Sequence, residues 1–185
     1  MSKPSSGHFS GTAGSKNPSR NIAQNQSNNA IISSRRLDTR EHPTKYRQLS
    51  SKKLRALREK AKSRTITKSE YAHLNWQTRL TKRRKEGVKA FWDREKYLIT
   101  HNLPTTRNWS ANQRAAIINH KQPKYRGITM HSHHTFSVSK YPHLANHESI
   151  IYPVTRNEHI NRWHNRNFRK SLSGKPININ FKEEF

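Results

Sequence analysis

Seven of the twelve histidines in this 185-residue chain fall between His131 and His164, and the run opens on the triplet Ser132-His133-His134. Histidine is the side chain that both ligates divalent metals and exchanges protons near neutral pH, so a stretch that concentrates it reads as a hydrolytic metal site. The surrounding pattern predicts the elements that would hold it. Residues 128–139 are in part β-branched or aromatic (Ile128, Thr135, Phe136, Val138) and read as a short strand or hairpin arm. A loop with Pro142 and Asn146 follows. Ile150, Ile151, Tyr152 and Val154 form a second strand, with Pro153 marking its end or an edge. Thr155-Arg156-Asn157-Glu158 is a capping box in form, and it opens a short helix that carries His159, Trp163 and His164. The order is strand, loop, strand, helix.

Upstream, residues 1–45 are rich in Ser, Asn, Gly and Pro and read as a disordered leader or linker. Ser50 or Ser51 caps a basic helix with Leu54, Leu57 and Ala61 on one face. Thr67-Lys68-Ser69-Glu70 caps a second, whose apolar positions run from Tyr71, Leu74, Trp76 and Leu80 to Val88, Phe91, Trp92 and Leu98. Gly87 counts against one continuous helix there. Ser110-Ala111-Asn112-Gln113 caps a third, with Ala115, Ile117 and Ile118 expected inside. The four tryptophans, at 76, 92, 109 and 163, read as core residues.

Charge sets the partner. Lys and Arg number 37 against 11 Asp and Glu, a formal net charge of +26, and no acidic residue occurs between Lys96 and His147. Few of these charges can pair internally, which favours phosphate contacts over a merely solvated surface, and Lys82, Arg83, Arg84 and Lys85 are the densest run. Hydrophobic residues make up 30%, enough for one small core. There is no cysteine, so any metal must be held by His, Asn or carboxylates. No apolar run approaches the ~20 residues of a membrane span, and no secretion signal is expected at the N-terminus.

Phosphodiester hydrolysis needs a proton acceptor for water, charge stabilisation at phosphorus, and neutralisation of the departing oxygen. Adjacent histidines on an extended chain point to opposite sides, so one can hold a metal while the other faces water. The Ser-His-His triplet, the asparagine before the second strand, and Thr-x-x-Glu-His opening a helix resemble the HNH/endonuclease VII superfamily. More narrowly, they resemble the polymorphic-toxin nucleases named for a GHH or SHH triplet. The resemblance covers about residues 109–176 and implies an α+β fold: a ββα-metal core over 109–185, preceded by a basic helical segment over 46–108.

Carried over residue by residue, the resemblance makes His133 a metal ligand, His134 the general base, His159 the helix-borne ligand, and Asn146 the residue that orients the base through its side-chain carbonyl. His164 lies five positions after His159. In an α-helix that is about 140° around the axis, so His164 joins the same ion only if the helix breaks there, and otherwise touches phosphate. The resemblance further implies one divalent cation (Mg, Mn, Zn or Ni), a DNA or RNA substrate including tRNA, and an acidic immunity protein. It implies export as part of, or with, a larger toxin system and action in the target-cell cytoplasm. His131, His143 and His147 read as surface residues, and Glu158 as a cap. Two rivals remain at this point: a non-enzymatic basic nucleic-acid-binding protein, and a metal-independent ribonuclease using two histidines on a 2′-hydroxyl.

Overall fold

Three side-chain caps set the helical half of the molecule, for which the computed structural model describes residues 37–185. Ser50 Oγ accepts from Lys53 N and starts α1, Ser51–Lys62. Thr67 and Glu70 cap each other and start α2, Lys68–Thr100, a rod of 33 residues that runs unbroken through both the basic run and Gly87. At 1.5 Å per residue it is about 50 Å long. A second reciprocal pair, Ser110 and Gln113, starts α3, Ala111–Ile118. Of the three residues expected inside α3 only Ile117 is buried, because this short helix offers its neighbours a narrow stripe; Ala115 and Ile118 face water.

The strands are short. β1 (Lys124–Tyr125) and β2 (Ile128–Thr129) make a small hairpin whose turn residues Arg126 and Gly127 both have positive φ, the conformation a two-residue hairpin turn of the primed type requires. β3 (His131–His134) pairs antiparallel with β4 (Ile151–Val154), with His133 opposite Tyr152 and His134 opposite Ile151. The arm expected over 128–139 is therefore divided at buried Met130, and residues 135–139 leave the sheet for a long loop with helical turns at Pro142–Leu144 and Glu148–Ile150. After β4, Thr155 and Glu158 cap each other as the spacing implied. The helix they open is wound as a π-helix over Glu158–Trp163.

α2 is the spine of the core. Its Phe91 packs with Tyr141, Leu144, Ile150 and Ile151, and its Ile99 with Trp109, Ile117 and Met130. These clusters cross the boundary expected between residues 108 and 109, so α2 shares one core with the strands. Two buried polar contacts tie the elements together: Arg107 grips Glu158 with two bonds of 2.6 and 2.8 Å, and Glu95 accepts from Trp109 Nε1 at 2.7 Å. Of the leader expected over 1–45, residues 1–36 lie outside the described residues. Residues 37–45 form no helix or strand but are fastened to the core: Leu37 packs against the Phe91 cluster, and His42 N donates to the Lys140 carbonyl at 2.8 Å. Among the described residues no helix is long and apolar enough to cross a membrane.

Candidate metal centre

The alternation of β3 sends His131 and His133 toward the π-helical segment and His134 the opposite way, toward α2. His133, His159 and His164 face one another, with ring centroids 4.9 Å (133–159), 5.2 Å (133–164) and 4.9 Å (159–164) apart. One donor nitrogen from each lies within 4.8 Å of the other two. The winding of the helix makes this possible. An i→i+5 turn is wider than an α-helical one, so residues five apart come to one face rather than about 140° apart. The segment ends immediately afterwards, at Asn165 and Arg166, both with positive φ. A break alone does not align the two histidines; the widened turn does.

The surroundings keep the His133 and His159 rings neutral. Burial, then the neighbouring His159 and His164, push His133 down to about 2; burial, then His164 and His131, push His159 down to about 4. His164 Nδ1 donates to the Lys170 carbonyl at 2.9 Å, which leaves Nε2 with its lone pair. His159 Nδ1 meets His131 Nδ1 at 3.0 Å, so one donates to the other and the ring is held by a second histidine. Imidazoles braced through their other nitrogen, as His159 and His164 are here, are donors a borderline divalent cation takes. The residues present fit such an ion.

His134 is built differently. Its Nε2 lies 3.2 Å from the Ala145 carbonyl, which can only accept, so Nε2 carries the proton and Nδ1 is bare. That Nδ1 is buried with no hydrogen-bond partner. Burial, then the charge of Arg84, push the ring down to about 4 against the pull of the Ala145 bond. Asn146 does not orient this ring through its side chain as expected. Its Oδ1 accepts from Arg83 Nη2 at 2.7 Å, and the same guanidinium nitrogen donates to the His143 carbonyl at 2.5 Å. The orienting acceptor is the backbone of the preceding residue, and Asn146 helps anchor the loop that presents it. Gly87 explains why the loop can sit there: a Cβ at this position would stand 2.8 Å from Ala145 O and 3.0 Å from Asn146 C and Cα.

The basic run therefore divides. Arg83 is consumed by the loop. Arg84 and Lys85 line a cavity of about 390 Å³ together with Ser132, His134, Val88 and Lys89. Lys82 stands outside it, 3.9 Å from Glu86, in a groove of about 500 Å³ between α1 and α2 that also takes in Arg58, Lys85 and Lys89. Lys85 and Lys89 border both, so a basic track leads from α1 to His134. Sequence reasoning missed the bracing role of His131, whose signal was available in its spacing of two from His133 on a strand. It also missed the Ala145 carbonyl, a backbone group with no side-chain signature. His143, expected at the surface, is half-buried, and its Nε2 lies 2.7 Å from the Asp38 carbonyl. His147 is exposed as expected.

A short ββα unit with three converging histidines, and a neutral fourth histidine lining a basic cavity, is the kind of arrangement found in HNH-type phosphodiester hydrolases that use a divalent metal. Residues 74–155 match the family described as GHH signature containing HNH/Endo VII superfamily nuclease toxin. A domain of this kind implies phosphodiester hydrolase activity in a nuclease toxin, which sets aside the non-enzymatic reading. No curated protein and no solved structure matches the chain. The matched segment begins within α2, earlier than the sequence resemblance over 109–176, and ends at Thr155, ahead of His159 and His164. Where the signature's name spells Gly-His-His this chain has Ser132, whose Oγ accepts from Trp92 Nε1 at 3.0 Å and so ties β3 to α2.

Proposed function

We propose that the protein is an endonuclease in which His134 is the general base and His133, His159 and His164 hold one divalent cation. The observation that carries this reading is the bare, buried Nδ1 of His134 at the end of a basic track. A cation on the three histidines would supply positive charge against the departing oxygen. His134 Nδ1 takes the proton of the attacking water while Nε2–H stays on Ala145 O, so the ring does not turn as its charge changes. Asn146 and Arg83 hold the loop that fixes that acceptor. Arg84, at the cavity mouth, contacts the phosphate, and Lys82 and Lys85 with Arg58 and Lys89 follow the strand on either side. Borderline softness favours Zn, Ni or Mn over Mg on an all-imidazole set. Activated water needs no 2′-hydroxyl, so DNA and RNA, including tRNA, are both within reach of this chemistry.

The test is cleavage of plasmid DNA and of total tRNA by the purified chain, with each divalent metal and with a chelator. His134→Ala should lose about 10²- to 10⁴-fold in rate with metal binding retained. His159→Ala should lose metal affinity and cleavage together. Wild-type cleavage by His134→Ala, or undiminished cleavage in chelator, overturns the assignment; the latter outcome favours the two-histidine ribonuclease. We further propose that the toxin acts in the target-cell cytoplasm after export with a larger system, and that an acidic immunity protein restrains it in the producing cell. Complementary charge would make the inhibitor's association rate fall steeply with salt.

A further inference from the structure

A second cluster of metal-ligating side chains lies away from the triad, where the segment at residues 37–45 crosses the loop that precedes Asn146. Asp38, His42 and His143 each offer one donor atom, all within 4.8 Å of one another. His42 Nε2 stands 3.0 Å from Asp38 Oδ2, and the two imidazole rings meet edge to face at 4.5 Å. His143 Nε2 donates to the Asp38 carbonyl, 2.7 Å away, and its Nδ1 is buried with no hydrogen-bond partner among the described residues. A buried nitrogen of this kind is an unmet polar group, and a metal would satisfy it.

We propose that Asp38, His42 and His143 form a second site for a borderline divalent cation such as Zn²⁺, which clips residues 38–42 onto the loop that orients the catalytic base. One carboxylate with two imidazoles is a donor set that zinc takes with water completing the shell, whereas Mg²⁺ and Ca²⁺ want oxygen throughout. Arg40 is the competitor: its Nε and Nη2 each lie 2.8 Å from a carboxylate oxygen of Asp38. Its side chain is 81% exposed, so it can leave for solvent as an ion arrives. The consequence reaches the active site through one turn of chain. His143 begins the stretch that ends at Ala145 and Asn146, and Arg83 bonds both the His143 carbonyl and Asn146 Oδ1. The clip would give that stretch a second tether besides Arg83.

Zn²⁺ calorimetry on the metal-stripped full chain tests this without reference to cleavage. The wild type should take two ions per chain, and His159→Ala/His164→Ala should take one. Adding His42→Ala and Asp38→Asn to that variant should weaken the remaining ion by about tenfold or more, whereas adding His147→Ala should leave it unchanged. In the wild-type background His42→Ala alone should weaken one of the two ions and leave the other unchanged, which keeps the test decisive should the triad variant fail to fold. A wild type that takes a single ion and loses it with His159 and His164 overturns the proposal. So does a second ion indifferent to His42 and Asp38.

Discussion

His133 and His134 are chemically identical neighbours that the fold places in opposite surroundings. His133 points into a nest of imidazoles, where its proton is unwelcome and its lone pair is useful. His134 is held by one backbone carbonyl, with its other nitrogen bare. The cause can be measured in the metal-free protein. Because the folded pKa of His134 is depressed, the ring is neutral above about 4 and protonates only below it. NMR titration should therefore find no change of charge near the ordinary histidine value of 6.5. Arg84→Gln removes the second-largest cause and should move the midpoint upward, and an unchanged midpoint would take Arg84 out of the site. Asn146→Ala should reduce cleavage less than His134→Ala, since the ring's acceptor is the Ala145 carbonyl; an equal loss would restore a direct role for the asparagine side chain.

Two elements carry geometry that no single side chain could supply. The π-helical turn brings His159 and His164 to one face, and it permits a ligand pair five residues apart where an α-helix would need four. His164→Ala should accordingly weaken divalent binding about as much as His159→Ala, measured by calorimetry; a variant with wild-type affinity would make His164 a phosphate contact. The second element is the crossing of α2 by the loop at Ala145. Gly87→Ala would gain about 1 kcal/mol of helix propensity. It would also drive a methyl group against backbone atoms at 2.8 and 3.0 Å, an overpacking of the kind that costs about 1–3 kcal/mol. Backbone cannot swing aside as a flexible side chain could. Net destabilisation in urea together with slower cleavage is expected, since the displaced carbonyl is the one that holds His134.

At the scale of the whole molecule, charge and one buried ion pair organise the chain. Arg107, from the connection between α2 and α3, joins Glu158 at the start of the π-helical segment and the Phe185 carbonyl, and the Glu184 amide completes the cage around Glu158. Glu158→Leu leaves a buried arginine uncompensated and should cost about 3–5 kcal/mol in urea unfolding. Adding Arg107→Met should recover part of this, but not all, because the Thr155 and Glu184 amides still lose their acceptor. Burial raises the Glu158 pKa, but the bonds from Arg107 and the Glu184 and Thr155 amides outweigh it and the net shift is downward. Its contribution is thus present above the ordinary value of 4.5 and is lost as pH falls through the lower folded value. The basic track makes the matching prediction for binding. With His134 removed, neutralising Arg58, Lys85 and Lys89 should reduce the salt slope of duplex affinity by roughly 0.9 for every phosphate the protein then leaves unneutralised. An unchanged slope would make this groove an ordinary solvated face.

The sequence by itself determined whatever depends on residue type at short spacing. The capping boxes at Thr67, Ser110 and Thr155 placed the helix starts, because a cap is a contact between residues three apart. Strand alternation sent His133 and His134 to opposite sides for the same local reason. The excess of Lys and Arg over acidic residues required an anionic partner whatever the fold. Tertiary structure decided the rest. Gly87 reads as a weakness along the helix and becomes a necessity only when a loop about sixty residues away lies against it. The acceptor for His134 is a backbone carbonyl, which every residue carries and no motif records. Arg83 and Arg84 are neighbours in the chain, yet rotation about α2 gives one to the Asn146 loop and the other to the cavity. The pairing of His159 with His164 turned on whether one helical turn closes over four residues or five, which the spacing of the two histidines does not record.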